Sequence, residues 1–371
     1  MFQRIAGCIL GCALLSCGST ALAFTLVQLP EQNTPSSSVT NSFTLQTQVQ
    51  PIAATIRSQI LTNLRPRGAQ KSSQLGHMFA ANAGGDLLAA AASDAPPPGS
   101  GGGAGNSDAL WISTAINNVE NDFSRTAFYG VTQTLLAGYD LTRSNRYVLG
   151  VSLGYEASNF TTKFNTGNEK TRGFNVNPYF AWLISDTWSL DMILGYGDFQ
   201  TRQTRTIGTG LLTTLPVTSD FDSTRGLAST NLTNVQTLGN WKLTGSLGYL
   251  WSRRESDAYV ESVPVPLGNS VPESKQTLKQ WNLLGEVAYG RGNSEAFLGA
   301  TYEGTQDMQK VVLTSGMGAQ PANDASSVLL TTGWRYFASK GLSANFVLSA
   351  RVGQEDFREQ YGFSMLLRVD L

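Results

Sequence analysis

The chain has 371 residues, and its 26 Lys+Arg are balanced by 27 Asp+Glu, which removes the basic surface that nucleic-acid binding needs. Charged residues make up 14% of the chain, which is low for a soluble enzyme. After residue 25, no stretch approaches the ~20 consecutive apolar residues of a membrane-spanning helix, so a helical membrane protein is disfavoured.

Residues 1–23 have the pattern of an export signal. Arg4 supplies a positive charge, Ile5–Leu15 form an apolar stretch, and Ala21-Leu22-Ala23 is a small-x-small site, so we expect cleavage after Ala23. Cleavage there would leave a mature chain without thiols, because all three cysteines lie inside the signal: Cys8, Cys12 and Cys17. The sequence before Cys17 also resembles a lipoprotein processing site, so lipidation of Cys17 stays open as the alternative.

Residues 24–107 differ in composition from the rest of the chain. The part up to Gln50 is rich in Ser, Thr, Gln and Asn with little periodicity, so we predict that it lacks a packed core. Apolar residues then recur every four positions from Ile52 to Leu64, which predicts one short helix near 51–64 that begins at a proline. The Pro- and Gly-rich stretch 96–103 is typical of a domain boundary. We therefore interpret 24–107 as a short, mostly disordered passenger or linker segment.

From about Ala109 onward the chain alternates apolar and polar residues, most clearly between Tyr361 and Leu371. Each alternating segment is long enough to cross a bilayer as a tilted strand, which takes ~9–11 residues. The pattern predicts twelve strands, near 109–120, 128–142, 146–159, 170–184, 187–203, 221–236, 241–258, 277–290, 294–306, 326–338, 342–355 and 358–371.

The connections between these strands alternate between tight turns and longer polar links, and aromatic residues cluster at strand ends. The long links lie near 160–169, 204–220, 259–276 and 307–325. Short turns on one side and long loops on the other are typical of outer-membrane barrels, with the turns periplasmic and the loops extracellular. We therefore predict an all-β fold, a twelve-stranded antiparallel transmembrane β-barrel over 108–371 in the outer membrane of a Gram-negative bacterium.

The polar face of each predicted strand must point into the lumen, because Lys or Arg facing lipid near the midplane costs ~2–4 kcal/mol. Mixed signs on this face predict charge pairs across a narrow lumen. The charges that we expect there are Asp140, Asp191, Lys242, Glu286, Arg335, Arg351 and Arg368.

Residues Leu135–Leu141, Tyr147–Tyr155 and Trp188–Gly197 resemble strands of the autotransporter (type V secretion) β-domain. The resemblance covers 108–371 and implies a barrel that translocates its N-terminal segment as a hairpin, or displays it at the cell surface. It also implies assembly by the barrel-assembly machinery. We expect a monomer that contacts outer-membrane lipid and lipopolysaccharide, and periplasmic chaperones on its way there. The chain departs from the family in its short N-terminal segment, which has no repeats, and in its last residue, Leu371, which is not aromatic.

Some members of this family release their passenger at an Asn-Asn pair in a helix inside the pore. Asn117-Asn118 would be such a cleavage site if 109–122 formed that helix instead of the first strand. Together with Ala23, these residues are the candidate cleavage sites.

Residues suited to catalysis are scarce. The single histidine, His77, lies outside the predicted barrel, so no His-dependent site can form on the barrel wall. We find no nucleotide-binding or metal-binding motif, and predict no catalytic site, cofactor or metal. Two other functions stay open beside the resemblance: a passive porin-like channel, and a structural or adhesive surface protein that acts through its extracellular loops.

Overall fold

The computed structural model describes residues 27–29, 35–69, 107–122, 127–144, 146–208, 214–262, 270–306, 311–313, 326–338, 341–352 and 358–371. The predicted export signal with Cys17 and Ala23 lies outside these residues. So do the Pro- and Gly-rich boundary at 96–103 and His77.

Twelve antiparallel strands form a closed barrel, which confirms the predicted architecture. Each strand pairs with the next along the chain, and the last pairs with the first from Arg358↔Asn121 to Asp370↔Ala109. The strands are β2 (Ser107–Asn121), β3 (Phe128–Arg143), β4 (Tyr147–Thr162), β5 (Gly167–Leu183), β6 (Trp188–Gly208), β7 (Thr214–Leu238), β8 (Trp241–Ser256), β11 (Ser274–Arg291), β12 (Ser294–Gln306), β14 (Ser327–Phe337), β15 (Leu342–Val352) and β16 (Arg358–Asp370).

The two ends of the barrel differ as predicted. At one end, named here the short-turn end, tight turns connect the strands, and Gly239 and Gly292 adopt positive φ angles of 61° and 59° there. At the other end, the long-loop end, short strands lie within the connections: β9 (Tyr259–Val260), β10 (Ser270–Val271) and β13 (Val311–Leu313). β1 (Val27–Leu29), which precedes the helix, pairs with β13 at this end.

The predicted link 204–220 is for the most part strand. β6 and β7 stay paired from Trp188↔Asn234 to Gly208↔Thr214. The outward side chains of this extension are polar, as at Arg202 and Thr204, because it lies beyond the apolar belt. The hydrophobic alternation therefore ends before the backbone pairing does. Likewise, the predicted link 160–169 shortens to a turn between Thr162 and Gly167.

The outer surface carries exposed apolar side chains in a belt between two rows of aromatic residues. Leu298, midway along β12, is 66% exposed. The row near the short-turn end comprises Tyr147, Trp182, Trp188, Trp241, Tyr289 and Trp334. The row near the long-loop end comprises Tyr129, Tyr155, Phe174, Tyr196, Trp281, Tyr302 and Tyr361. Two aromatic girdles around an apolar belt are the lipid-facing surface of an outer-membrane barrel.

Helix α1 (Ser36–Ala69) lies inside the barrel. The predicted helix near 51–64 therefore exists, but it begins at Ser36 and ends at Ala69, so Pro51 lies within it. The prediction that the part before Gln50 lacks a packed core is wrong, because the described side chains from Ser36 to Val49 are buried. These side chains are mainly polar because the barrel wall around them is polar. Among the described residues, no helix is both long and apolar enough to cross a membrane.

Substitution of Leu298 by Arg tests the lipid-facing belt. We expect Leu298→Arg to lower the free energy of unfolding in lipid vesicles by about 2–4 kcal/mol, because a cation near the midplane loses its hydration. Denaturant titration of the refolded barrel measures this change. Thr204→Arg, exposed on the extension of β6 beyond the belt, is the matched control and should change little. Equal effects of the two substitutions would contradict the position of the belt.

Candidate functional site in the barrel lumen

Helix α1 runs through the lumen from the long-loop end to the short-turn end. At its start, the Ser36 hydroxyl lies 3.0 Å from that of Thr162, where β4 ends at the long-loop end. Further along, Gln59 Nε2 donates to Asp140 Oδ2 at 2.9 Å, three residues before β3 ends at the short-turn end. The later turns of the helix therefore lie towards the short-turn end, which is also the end at which β2 begins with Ser107.

One side of the helix packs against apolar residues of the wall. Leu45, Val49, Ile52, Ile56 and Ile60 form its apolar stripe and are completely buried. They belong to one cluster with wall residues that include Trp111, Leu136, Val148, Tyr179, Ile193 and Leu227. Full burial of each such aliphatic side chain stabilises the packed state by roughly 1.5–3 kcal/mol. This stripe is the main apolar attachment of the helix to the barrel.

Asp140 is the centre of the polar contacts on this side. Besides Gln59, it accepts hydrogen bonds from Trp111 Nε1 at 3.2 Å and from the Tyr179 hydroxyl, and it pairs with Arg368 Nη1 at 3.2 Å. Gly138 makes this arrangement possible, since a Cβ at that position would lie 2.3 Å from the Trp111 ring. A single carboxylate thus joins the helix to β2, β3, β5 and β16.

Four of the predicted lumen charges lie in the part of the lumen towards the short-turn end: Lys242, Glu286 and Arg335 on β8, β11 and β14 of the opposite wall, and Asp191 on β6. Arg335 pairs with Glu286 at 2.7 Å and with Glu295 at 2.6 Å, and Lys242 also pairs with Glu295. Asp191 is buried and accepts a hydrogen bond from Asn231 Nδ2 at 2.7 Å.

Arg57 of the helix lies near these groups. It donates to Thr233 Oγ1 at 3.3 Å and interacts electrostatically with Asp191 and Glu286. The mixed signs are thus present as predicted, but the pairs join nearby strands along the inner wall and do not cross the lumen, because the helix occupies it.

Two similar ion pairs hold the middle of the helix. Arg351 pairs with Glu303 and donates to Gln50 Oε1 of the helix. On the other wall, Arg225 pairs with Glu156 and donates to Gln48 Oε1 at 3.2 Å. Of these residues, only Arg351 was among the predicted lumen charges given above. Glu156, Arg225 and Glu303 occupy inward positions of β4, β7 and β12, so counting alternate positions along these strands finds them.

The barrel sequence matches a known family. The model described as Autotransporter beta-domain matches residues 110–353. The chain belongs to the autotransporter β-domain family. A search of the curated proteins finds no match.

Two solved structures share the fold of this autotransporter barrel. One is the translocator domain of autotransporter NalP from Neisseria meningitidis, with a TM-score of 0.59, 13% identity, and coverage of 79% of this chain and 98% of that one. The other is the beta domain of the Bordetella autotransporter BrkA, with a TM-score of 0.55, 18% identity, and coverage of 71% and 100%.

Membership of the family confirms the resemblance seen in the sequence. The protein is an outer-membrane β-barrel of the autotransporter class, whose role is to translocate the segment that precedes the barrel. Translocator barrels of this family are not enzymes. Within the described residues, no group of three or more His, Cys, Asp and Glu side chains is placed to hold a metal ion.

The candidate cleavage site Asn117-Asn118 of this autotransporter barrel lies in strand β2, not in the pore helix. Asn117 pairs with Gly362 and Thr132, and Asn118 pairs with Tyr361 and Val131. Cleavage between them would cut a wall strand that is bound on both sides. The condition under which the pair would serve as a release site, a helix over 109–122, is therefore not met.

At the long-loop end, the connection after β8 folds over the start of α1. Tyr259 stacks on Phe221 at 4.5 Å between ring centroids, and its hydroxyl lies 2.9 Å from that of Ser37. Burial raises the pKa of Tyr259 to about 12, so its hydroxyl stays protonated at neutral pH. Nearby, Arg205 and Glu261 form a bidentate pair at 2.7 and 2.8 Å, and each side chain is 1% exposed. These contacts hold the helix start against the rim.

Replacement of Asp140 tests the polar centre. Asp140→Ala leaves Arg368 buried without Asp140 and the helix without its Gln59 contact, so we expect a loss of about 3–5 kcal/mol in the free energy of unfolding. Urea titration in detergent measures it. Asp220→Ala, which removes an exposed pair with Arg202, is the control and should change the midpoint little. A loss for Asp140→Ala no larger than that of the control would show that Asp140 does not hold the lumen together.

Proposed function

We propose that this autotransporter barrel displays the residues that precede α1 at the cell surface and keeps α1 in its pore. The observation that carries the proposal is the direction of the helix. Its first residues contact the long-loop end, and the contacts of its later turns lie towards the short-turn end. If the loops are extracellular, the chain before Ser36 lies outside the cell.

The pairing of β1 supports surface display. Val27–Leu29 pairs in parallel with Val311–Leu313, which belongs to the connection between β12 and β14 at the long-loop end. If cleavage follows Ala23, the mature chain begins three residues before β1. The mature N-terminus would then be held beside an extracellular loop.

Retention of the helix follows from the way it is packed. Its apolar stripe is completely buried, and polar groups on several strands receive its Gln, Ser and Thr side chains. Departure of the helix would expose apolar wall residues and leave Arg225, Arg351 and Asp140 without their contacts to it. We therefore infer that α1 stays in place after export.

We also propose that the displayed segment is not an enzyme and that the protein has no cofactor. The absence of thiols after the predicted cleavage and the single histidine support this. The proposed partners are lipid and lipopolysaccharide around the belt, together with the barrel-assembly machinery and periplasmic chaperones during export. The balanced charge supports the absence of a nucleic-acid partner, and we propose a monomer.

The test of display is the protease sensitivity of an epitope tag inserted after Phe24, on intact cells. We expect the tag to be digested from outside while the barrel stays intact, because the chain before α1 emerges at the long-loop end. A second tag, in the short turn at Asn240, is the control and should resist digestion until the outer membrane is opened. Protection of both tags would place the N-terminus in the periplasm and overturn the proposal.

Retention can be tested through Asn117 and Asn118. Because both lie in a paired wall strand, we expect the double substitution Asn117→Ala/Asn118→Ala to leave the size of the outer-membrane polypeptide unchanged. Mass spectrometry of protein extracted from outer membranes measures this. If the wild-type protein were found as two fragments and the double variant as one intact polypeptide, cleavage at this pair would be shown and retention would be refuted.

A further inference from the structure

Three exposed cations form a patch on the outer wall, towards the long-loop end of β5 and β6. Lys170 and Arg172 lie on the outward face of β5, and Arg202 lies on the outward face of β6. Lys170 is paired directly with Arg202, and Arg172 is the next outward residue on β5. Side chains directly opposite in a ladder have Cβ atoms ~4.5–5.5 Å apart, and diagonal neighbours lie ~7–8 Å apart, so all three cations can contact one anionic group. We name these residues the basic patch.

The carboxylates near the basic patch lie on β6 and β7. Arg202 pairs with Asp220 on β7 at 2.7 Å, and both side chains are more than half exposed. Asp198 on β6 lies nearer the aromatic row and accepts a hydrogen bond from the Tyr196 hydroxyl at 3.3 Å. An ion pair as exposed as that of Arg202 contributes little stability, so a stronger anionic partner can compete for this guanidinium.

On its other side, the basic patch faces neutral residues. Lys170 lies opposite Asn159 of β4, and Arg172 lies opposite Ala157. Lys170 makes no hydrogen bond or ion pair with any residue that the structure describes. Its direct neighbour on β6 is Arg202, and like charges directly opposite destabilise a strand pair. An anion bound between Lys170 and Arg202 would remove this repulsion.

Several other outward cations at the long-loop end have acidic partners close by. The pairs are Lys163 with Glu120 and Asp122, Arg253 with Glu255, and Lys275 with Glu273. Lys170 differs from them, and the basic patch is therefore the place on this surface where an external anion has the most to gain.

The basic patch lies at the level where lipid headgroups begin. Phe174, in the aromatic row near the long-loop end, is 70% exposed, and Arg172 is the next outward residue of β5 beyond it. On the other side of Phe174, towards the midplane, Val176 and Leu153 are exposed to lipid. Because aromatic girdles mark the border between hydrocarbon and headgroups, the three cations stand just outside the hydrocarbon layer, where lipid phosphates lie.

Beyond the basic patch, the wall continues as the extension of β6 and β7. Its outward side chains there, with those of β5 beside them, are neutral and polar. They include Asn168, Thr204, Thr206 and Thr218. From the midplane outward, this side of the barrel thus presents apolar, then cationic, then hydroxyl and amide groups. A phosphorylated glycolipid has the matching order of acyl chains, phosphates and sugars, whereas a phospholipid lacks the sugar part.

We propose that the outer wall from β4 to β7 binds one molecule of lipopolysaccharide, with a phosphate of its lipid A part held by the basic patch. The proposal rests on the orientation given under Proposed function, which places the long-loop end in the outer leaflet. Guanidinium and ammonium groups form strong charge-assisted hydrogen bonds with phosphate. The acyl chains of the same molecule would lie against Leu153 and Phe174, and its sugars against the threonines of the extension.

The experiment is native mass spectrometry of the full-length protein in detergent micelles with added lipid A. We expect one lipid A to remain bound to the wild type. Lys170→Gln/Arg172→Gln/Arg202→Gln should weaken binding by about tenfold or more, since cations at the membrane surface each add to the attraction for anionic lipid. Lys170→Gln alone, which removes no contact within the described chain, should weaken it several-fold.

A matched control removes the same charge at the other end of the barrel. Arg143→Gln/Arg146→Gln/Arg291→Gln changes three exposed cations near the short turns and should bind lipid A as the wild type does. Equal weakening by this control and by the patch variant would show that overall charge alone matters, and it would overturn the proposal. Unchanged binding by the patch variant would overturn it too.

Two further lipids test which chemistry is recognised. Lipid A without its phosphates should bind the wild type no better than intact lipid A binds the patch variant. Phosphatidylglycerol, which carries a phosphate but no sugar, should bind several-fold more weakly than lipid A. Equal binding of either lipid and intact lipid A would contradict a site for a phosphorylated glycolipid.

The result is separable from the test of surface display, because protein in micelles has no sidedness. A digested tag after Phe24 together with unselective lipid binding would overturn the lipopolysaccharide site alone. Selective, patch-dependent binding by a protein whose two tags are both protected would support the site and overturn display alone.

Discussion

Backbone pairing between β16 and β2 is the constraint from which the rest of this structure follows. In lipid no water can satisfy a free N–H or C=O group, so a sheet can span the membrane only when its edges meet. Closure then gives every strand one face in lipid and one face in the lumen. The lipid face must be apolar, and the charges that the chain carries are directed inward. The lumen of this barrel is polar for that reason, and its polarity determines what can be placed there.

The barrel strands, whose outer faces must be apolar in the bilayer, could be predicted from the sequence. Each strand repeats the same apolar and polar alternation, so the twelve strands and the short turns are visible in local patterns. The extension of β6 and β7 was missed because its outward residues, such as Thr204, face water, and the alternation that reveals a strand is absent there. Pairing continues in that region because each strand already has a partner in register.

The helix could be predicted only in part, because its surroundings come from distant strands. Ile52, Ile56 and Ile60 show helical spacing, and they identified the second half. Before Pro51, most of the described helix side chains are Ser, Thr and Gln, a composition that indicates disorder for a chain in water. Inside this barrel Thr40 donates to Glu169 on β5 and Gln48 accepts from Arg225 on β7, while the backbone N–H of Ser37 donates to Gln203 on β6. Leu45 and Val49 extend the apolar stripe into this part of the helix, but the polar residues around them, which match the polar wall, obscure its spacing. Arg225–Glu156 or Arg351–Glu303 cannot be paired without the barrel register.

The two walls contribute different energies to holding the helix. A buried ion pair gains little net stability, because desolvation of both charges offsets their attraction. The apolar stripe against Leu136 and Ile193 therefore supplies most of the attachment, and the ion pairs that contact Gln48 and Gln50 set the position of the helix along the pore. The same cluster includes Leu250 on β8 and Leu278 on β11, so the stripe has apolar contacts on more than one side of the lumen. Moving the helix would therefore cost buried apolar surface, while a change in the polar contacts alone would alter only its position along the pore.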